Sequence, residues 1–275
     1  MPDLLLLPPV GETVAPDNMG FYRSVLETLN AAAVPYMVGG AYAFNFYTGV
    51  NRQTRDLDIF IRRQDYLEVS EALLKAGYRT ELTFRHWLAK VYNDGTYIDI
   101  IFSSGNGVAR VDQAWLDYAV PAQVADIDVM LCPVEEMIWS KAFIMERERF
   151  DGADVAHLLR ARADRMDWRR LLRRFEPHWR VLLCHLTLFG FIYPDHRDLV
   201  PAKLMDMLLR RLRRETHAKP PARKICQGTL LSREQYLMDI EQWHYLDARI
   251  DPLGNMTENE TATWTEAIPD RRNAL

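Results

Sequence analysis

The sequence contains few cysteines, no long apolar run and no strong excess of either charge. Its three cysteines lie far apart and form no CxxC pair. We therefore expect neither a disulfide framework nor a zinc ribbon, and a reducing cytoplasm is the default location. The formal net charge of −4 over 275 residues indicates no particular class of partner.

Apolar stretches long enough for a membrane are also missing. The leucine run at residues 4–7 has no preceding Lys or Arg and is stopped by Pro8 and Pro9, which argues against a signal peptide. No other segment approaches the roughly 20 apolar residues that a membrane span requires. The sequence thus predicts a soluble protein with no membrane partner.

Up to about residue 132, strand and helix patterns alternate. Phe21, Val25 and Leu29 recur every four positions in a predicted helix that ends near residue 33. Further along, the Asn-Asp-Gly segment at 93–95 separates stretches at 87–92 and 97–102, which predicts a hairpin. The other predicted elements are strands at 36–38, 56–61 and 126–131 and helices after residue 40 and over 65–76.

Beyond residue 133 the strand patterns fade, and helical periodicity continues to about residue 214. This change predicts a domain boundary near residue 132, with one domain at 1–132 and a helical domain at 133–250. The last segment, 251–275, is polar and has few periodic apolar positions. We expect it to form an irregular tail.

Two acidic residues, Asp56 and Asp58, lie two positions apart in a predicted strand. Side chains alternate faces along a strand, so both carboxylates are expected on the same side. Such close like charges repel unless a cation lies between them, and carboxylate oxygens suit hard ions such as Mg²⁺. A structural Asp-x-Asp without a metal is the simpler alternative.

A third acid, Asp99, interrupts the apolar stretch 97–102. An unpaired buried charge is unfavourable, so this carboxylate is expected to have a partner. If its strand neighbours that of Asp56 and Asp58, the three acids could hold two metal ions roughly 3.5–4 Å apart, as in displacement at phosphorus. The alternative is a structural or sheet-edge aspartate.

Gly39 and Gly40 follow the predicted strand at 36–38 and precede a helix. Glycine allows the backbone to approach a ligand closely, and a helix N-terminus offers free N–H groups to a phosphate. A Gly-Gly pair by itself usually marks only a tight turn. Its position shortly before Asp56 makes it more informative.

Together, the segments 38–41 (Val-Gly-Gly-Ala), 52–55 (Arg-Gln-Thr-Arg) and 56–59 (Asp-Leu-Asp-Ile) resemble the signature of the DNA polymerase β-like nucleotidyltransferase superfamily. They are similar to small bacterial members, including antibiotic-modifying and toxin-type enzymes. The resemblance implies an α+β fold, with a mixed-sheet nucleotidyltransferase catalytic domain followed by a C-terminal helical domain. Many members carry Ser where this chain has Gly40.

The resemblance also implies roles for individual residues. Asp56, Asp58 and Asp99 would bind two Mg²⁺ ions, with Mn²⁺ as an alternative metal, and Asp99 would help to activate the attacking hydroxyl. Gly39 and Gly40 would hold the triphosphate of an NTP such as ATP. Further candidates for nucleotide binding are Arg52, Thr54, Arg55 and Lys141. As alternatives, the arginines are surface charges and the lysine is solvated on an amphipathic helix.

The second half of the chain is basic, with 20 Lys and Arg against 11 Asp and Glu between residues 141 and 224. Its arginine clusters at 169–174 and 210–214 could bind a polyanion such as tRNA. Solvated helix faces are the alternative, and Trp168 and Trp179 are expected to be core anchors rather than stacking platforms.

The resulting hypothesis is a Mg²⁺-dependent nucleotidyltransferase that moves an NMP from an NTP to a hydroxyl acceptor and releases pyrophosphate. The sequence leaves the acceptor open among a small molecule, a tRNA and a protein. One alternative is a catalytically silent nucleotide- or RNA-binding module on the same scaffold. Another is a toxin-type nucleotidyltransferase that acts on tRNA or protein.

Overall fold

The computed structural model describes residues 18–54 and 56–268, so the leucine run at residues 4–7 and Arg55 lie outside the described residues. The chain forms two compact units. One contains residues up to 104 together with 110–133, and the other contains 105–109 together with the residues from 134 on. The first unit holds a mixed sheet and the second is mostly helical. The α+β class predicted from the sequence is confirmed.

The described residues of the first unit form four helices and seven strands. In chain order they are α1 (Met19–Ala31), β1 (Met37–Val38), α2 (Gly40–Thr48), β2 (Asp58–Phe60), α3 (Tyr66–Lys75), β3 (Arg79–Phe84), β4 (Leu88–Asn93), β5 (Thr96–Ile101), α4 (Gln113–Asp117), β6 (Val120–Val124) and β7 (Ile127–Leu131). All seven strands join one sheet in the order β3-β4-β5-β2-β1-β7-β6.

Both strand directions meet at the centre of this sheet. Strand β2 runs parallel to β5 and antiparallel to β1, and β1 runs parallel to β7. Strands β4 and β5 form the predicted hairpin. Its turn residues Asp94 and Gly95 have φ values of 40° and 85°, and such positive values are typical of a tight hairpin turn.

One face of the sheet is apolar and covered. Ile59 of β2, Val91 of β4 and both Ile98 and Ile100 of β5 are fully buried. Side chains alternate faces along a strand, so the polar residues between them, such as Asp99, project from the opposite face. The buried face fixes the register of the strands, because a slip by one residue would expose these apolar side chains.

The strand predictions for this unit need correction at three points. Strand β2 begins only at Asp58, so Asp56 lies in the preceding loop and not in the strand. Strands β3 and β6 were not predicted; β3 pairs antiparallel with β4, and β6 pairs antiparallel with β7. Strand β6 contains Pro121 and lies at the edge of the sheet, where a residue without a backbone N–H is tolerated.

The second unit contains seven helices and two short strands within its described residues. They are α5 (Val134–Lys141), α6 (Gly152–Arg162), α7 (Trp168–Phe175), α8 (Trp179–Ile192), α9 (Ala202–His217), β8 (Ile225–Cys226), α10 (Leu237–Glu241), β9 (Leu246–Asp247) and α11 (Glu258–Glu266). Leu158, Leu171, Phe175 and Phe189 are fully buried in its core. No helix in the described part of the chain is long and apolar enough to cross a membrane.

The prediction of an irregular tail from residue 251 is wrong for α11. This helix begins with a capping box, in which the Thr257 hydroxyl accepts from the Glu260 backbone N–H and the Glu260 carboxylate accepts from the Thr257 backbone N–H. The Thr-x-x-Glu spacing predicts the start of a helix, but the polar composition of the segment favoured an irregular tail. Residues 269–275 lie outside the described residues.

Candidate active site

The Gly39–Gly40 turn connects β1 to α2 and is fitted closely to Asp58. The Gly39 backbone N–H donates to the Asp58 carbonyl oxygen at 2.9 Å. Gly40 has φ of +53°, and a Cβ atom there would lie 1.7 Å from Asp58 Oδ2. Only glycine combines this backbone conformation with so close a carboxylate. The Asp58 carboxylate therefore lies directly against the backbone of the Gly39–Gly40 turn.

Asp58 and Asp99 are brought together by the pairing of β2 with β5. Their Cα atoms are direct partners in the parallel register, and the Asp99 backbone N–H donates to the Leu57 carbonyl oxygen at 3.1 Å. Directly paired residues in adjacent strands project from the same face of the sheet. The predicted adjacency of the two strands thus places both carboxylates on the face opposite the apolar core.

Asp99 lies in a partly buried environment. Its side chain is 21% exposed. Burial raises the pKa of the Asp99 carboxyl above its ordinary value, the hydrogen bond and charge of Lys90 oppose this rise, and the charge of Asp56 adds to it. Burial and the charge of Asp56 thus favour the protonated form of Asp99, and Lys90 favours the ionised form.

Asp56 is exposed and belongs to the loop before β2. The loop is ordered locally by Thr54, whose hydroxyl donates to the Asp56 carbonyl oxygen at 3.0 Å and accepts from the Asp56 N–H at 3.2 Å. Thr54 therefore positions the backbone of the first acidic residue. Its predicted role in nucleotide binding stays a prediction.

The donor chemistry of the three acids fits a hard divalent cation, since all the predicted ligands are carboxylate oxygens. An ammonium group already occupies a cation position against Asp99, which indicates that this point of the sheet favours positive charge. Within residues 18–54 and 56–268, however, no three His, Cys, Asp or Glu side chains are gathered closely enough to hold a metal ion. A metal would require the acidic side chains to turn toward one point, and the metal site stays a prediction.

Lys90 was not among the predicted site residues, yet its ammonium donates to Asp99 Oδ1 at 2.7 Å. Lys90 and Asp99 are direct partners in the antiparallel β4–β5 pair. The predicted hairpin contained the signal. With the turn at 94–95, Asn93 pairs with Thr96. Each step away from the turn pairs the next residue of β4 with the next residue of β5, so Lys90 pairs with Asp99.

Arg52 lies in the loop between α2 and β2. Asn45 of α2 fixes that loop, because its side chain accepts from the Arg52 N–H and donates to the Arg52 carbonyl oxygen. The Arg52 guanidinium lies over the Phe44 ring, 4.6 Å from its centroid. Arg52 is therefore exposed yet anchored to α2 through Asn45 and Phe44, while the neighbouring candidate Arg55 lies outside the described residues.

Sequence comparison assigns the family. The pattern of a protein family described as "uncharacterised nucleotidyltransferase" matches residues 19–189, which is more than half of the chain. The chain belongs to this family. The resemblance to nucleotidyltransferases predicted from the sequence is confirmed, and no curated protein matches this nucleotidyltransferase.

Solved structures are similar to this nucleotidyltransferase at low identity. A lincomycin-bound lincosamide antibiotic adenylyltransferase, LnuA, is 19% identical with a TM-score of 0.37, covering 54% of this chain and 98% of that chain. ANT(2″)-Ia in complex with adenylyl-2″-tobramycin is 14% identical with a TM-score of 0.38, covering 64% and 99%. An antigenic nucleotidyltransferase-like protein from Paracoccidioides brasiliensis is 15% identical with a TM-score of 0.41, covering 68% and 93%.

Lys141 of this nucleotidyltransferase belongs to the second unit, at the end of α5. Its ammonium donates to Asp154 Oδ2 at 2.8 Å and to Asp151 Oδ2 at 3.1 Å, and its side chain is only 15% exposed. Burial raises the pKa of the Asp151 carboxyl, but Arg149 and Lys141 together bring it below its ordinary value. The alternative of a solvated lysine is therefore excluded, and nucleotide binding by Lys141 stays a prediction.

The two predicted arginine clusters differ in their surroundings. On α7, Arg170 is buried and pairs with Glu135 and Glu136 of α5, and Arg174 pairs with Glu136. These two arginines are internal and are not part of a solvated or polyanion-binding face. On α9, Arg210, Arg213 and Arg214 are exposed.

The two tryptophans of the basic region have distinct roles. Trp179 is 2% exposed, and Arg211 lies over its ring. Trp168 is half-buried, and its indole N–H donates to the Ala163 carbonyl oxygen at 3.2 Å. The packing of Trp179 agrees with a core anchor.

Proposed function

We propose that this nucleotidyltransferase is a Mg²⁺-dependent enzyme that transfers an NMP from an NTP to a hydroxyl acceptor and releases pyrophosphate. The observation that carries the proposal is the alignment of Asp58 and Asp99 on paired parallel strands beside the Gly39–Gly40 turn. This arrangement places two carboxylates next to a helix N-terminus, where backbone N–H groups favour anions such as phosphate. The proposed metal-binding and phosphate-binding groups thus come from one small region of the fold.

Asp56, Asp58 and Asp99 are the proposed metal ligands. Bound Mg²⁺ would supply charge neutralisation for the attacking and leaving oxygens of an in-line displacement. The chain's own contribution is to hold the backbones of Asp58 and Asp99 on paired strands of one sheet, while Thr54 orders the backbone of Asp56 in the preceding loop. Gly40 supports this role because it leaves room for the Asp58 carboxylate directly against the turn.

Asp99 is the proposed general base. Its carboxylate would accept the proton of the acceptor hydroxyl as the oxygen attacks the α-phosphorus. Partial burial supports this assignment, because burial raises the pKa of the Asp99 carboxyl and makes it a better proton acceptor than an exposed aspartate. Pyrophosphate then leaves on the opposite side of the phosphorus.

The proposed binding groups for the nucleotide in the first unit are the backbone N–H groups of Gly39 and Gly40 and the side chains of Arg52, Thr54 and Arg55. Nucleotide binding by Lys141 of the second unit stays a separate prediction. Arg52 has the best support, because its loop is fixed to α2 by Asn45. The acceptor can be a small molecule, a tRNA or a protein. For a nucleic-acid acceptor, the exposed arginines of α9 supply positive charge for phosphate contacts.

A direct test uses the full chain with each α-³²P-labelled NTP, Mg²⁺ and a cell extract. We expect one labelled acceptor, stoichiometric pyrophosphate release and loss of both on chelation with EDTA. Pyrophosphate release separates an enzyme from a catalytically silent binding module, which would bind NTP and release nothing. The chemical class of the labelled product separates a small-molecule acceptor from tRNA or protein. Absence of label and pyrophosphate with all four NTPs would refute the proposal.

A further inference from the structure

Four charged residues form one row across neighbouring strands of the sheet. Glu81 of β3 pairs with Lys90 of β4, Lys90 pairs with Asp99 of β5, and Asp99 pairs with Asp58 of β2. Directly paired residues share a face, so all four side chains project from the same side. Lys90 therefore lies in a row with the two aligned acids of the proposed metal site.

Lys90 has acidic partners available on both sides, and it contacts Asp99. Its Nζ atom lies 2.7 Å from Asp99 Oδ1. Glu81 instead pairs with Arg79 at 3.6 Å, and both of those side chains are more than half exposed. The Lys90 side chain is 18% exposed and that of Asp99 is 21% exposed. Partial burial makes this ion pair stronger than an exposed pair, which water and salt would weaken.

An aromatic ring also holds the same ammonium. Lys90 Nζ lies 3.4 Å from the centroid of the Tyr97 ring. Tyr97 is two residues before Asp99 on β5, so its side chain projects from the same face. A cation over an aromatic face is stabilised by the ring quadrupole. Lys90 therefore keeps a favourable contact beside the site even when its contact with Asp99 is lost.

We propose that Lys90 occupies the cation position at Asp99 and competes there with the divalent metal, so that it sets the metal affinity of the enzyme in the absence of NTP. The proposal rests on the proposed function, because it requires Asp99 to be a metal ligand. A divalent ion must displace the ammonium from Asp99 to gain that carboxylate. Lys90 is thus a positioning residue that acts through Asp99, and Tyr97 retains the displaced ammonium.

A purely structural role for the pair leads to a different expectation. If Lys90 only neutralises Asp99 for folding, replacing it lowers stability and leaves the metal affinity unchanged. If Lys90 competes with the metal, replacing it frees a carboxylate and increases the metal affinity. Direct metal binding therefore distinguishes the two roles, and it does so without any measurement of activity.

The test measures Mn²⁺ binding to the full-length protein without nucleotide, by calorimetry and by the electron paramagnetic resonance signal of free Mn²⁺. We expect Lys90→Met to bind Mn²⁺ about five- to tenfold more tightly than the wild type, as loss of a competing ion pair implies. Lys90→Arg, which keeps the charge, should remain within about twofold of the wild type. Lys75→Met is the matched control, because Lys75 is exposed on α3. It should leave Mn²⁺ affinity unchanged.

Two further measurements make the outcome decisive. Circular dichroism melting establishes that each variant is folded, and Asp58→Asn identifies the binding that belongs to the site. The competition would be overturned if folded Lys90→Met binds Mn²⁺ no more tightly than the wild type, while Asp58→Asn abolishes the binding seen in the wild type. That outcome would leave the proposed function intact. Wild-type Mn²⁺ binding that does not depend on Asp58 would refute the metal site itself and the competition with it.

Discussion

Asp58 and Asp99 lie directly opposite each other on the parallel strands β2 and β5, with the Asp99 backbone N–H bonded to the carbonyl oxygen of the residue before Asp58. The residues that flank them, Ile59, Ile98 and Ile100, are fully buried on the other face. The backbone positions of the two acids therefore depend on the apolar core. We therefore expect changes to the carboxylates themselves to have little effect on that core.

Removing the charge of Asp58 should separate catalysis from folding. Asp58→Asn keeps the size of the side chain and loses a metal ligand, so we expect nucleotidyl transfer to fall on the order of a thousandfold. The measurement is pyrophosphate release with labelled NTP, alongside circular dichroism melting. Asp94→Asn is the matched control, because Asn tolerates the positive φ of the hairpin turn. Wild-type transfer by folded Asp58→Asn would contradict the mechanism.

A methyl group at Gly40 should displace the Asp58 carboxylate. The added Cβ would lie 1.7 Å from Asp58 Oδ2, and the φ of +53° also disfavours alanine. We expect Gly40→Ala to reduce transfer by about a hundredfold, as misplacement of a reacting group does. Transfer rates at saturating NTP give the measurement.

Gly49→Ala is the matched control for that variant. Gly49 has φ of +70°, but a Cβ there meets no atom within 4 Å. Its replacement costs about 1–2 kcal/mol of stability through backbone strain alone and should leave transfer intact. Equal loss of activity in the two alanine variants would show that strain, and not the contact with Asp58, explains the effect.

Much of this site followed from local sequence patterns. The Gly-Gly turn, the Asp-x-Asp segment and the hairpin around Asp94 are each encoded within a few residues. Hairpin register follows from turn position, so the sequence also contained the pairing of Lys90 with Asp99. The pairing was missed because the register was not counted from the predicted turn back to Lys90.

Other features depend on contacts between distant parts of the chain. The start of β2 at Asp58 and not at Asp56 is set by pairing with β5, and periodicity gives no sign of it. The sequence suggested that Arg170 and Arg174 belong to a basic surface, because their partners Glu135 and Glu136 lie more than 30 residues earlier in the chain. Charge counts alone cannot distinguish a buried ion pair from a solvated helix face.

The ion pairs between α5 and α7 should contribute to stability. Arg170→Met leaves the Glu135 and Glu136 carboxylates buried without this partner, and breaking a buried pair costs about 3–5 kcal/mol. Arg169→Met, at an exposed position on the same helix, should change stability by less than about 0.5 kcal/mol. Urea unfolding measures both variants. Equal stabilities for the two variants would show that the buried pairs contribute nothing net.

Stability should also fall in mildly acidic solution because of His185. This ring is 3% exposed, its Nε2–H donates to the Ala142 carbonyl oxygen at 2.8 Å, and burial lowers the pKa of His185 below its ordinary value of 6.5. At pH 7.5, one unit above the ordinary pKa, the histidine is mostly uncharged in both the folded and the unfolded state. Below about pH 6.5 the unfolded chain takes up a proton that the folded protein excludes until its lower pKa is reached, so the free energy of unfolding decreases.

The size of this decrease is limited to about 1.4 kcal/mol per pH unit for one proton. His178 contributes in the same direction, because burial also lowers the pKa of its ring. We therefore expect His185→Gln, which keeps a donor near Ala142, to reduce but not abolish the slope of unfolding free energy between pH 7.5 and 5.5. His217→Gln, at an exposed position, should leave the slope unchanged. Urea unfolding at several pH values measures it, and identical slopes for His185→Gln and the wild type would exclude His185 as the source.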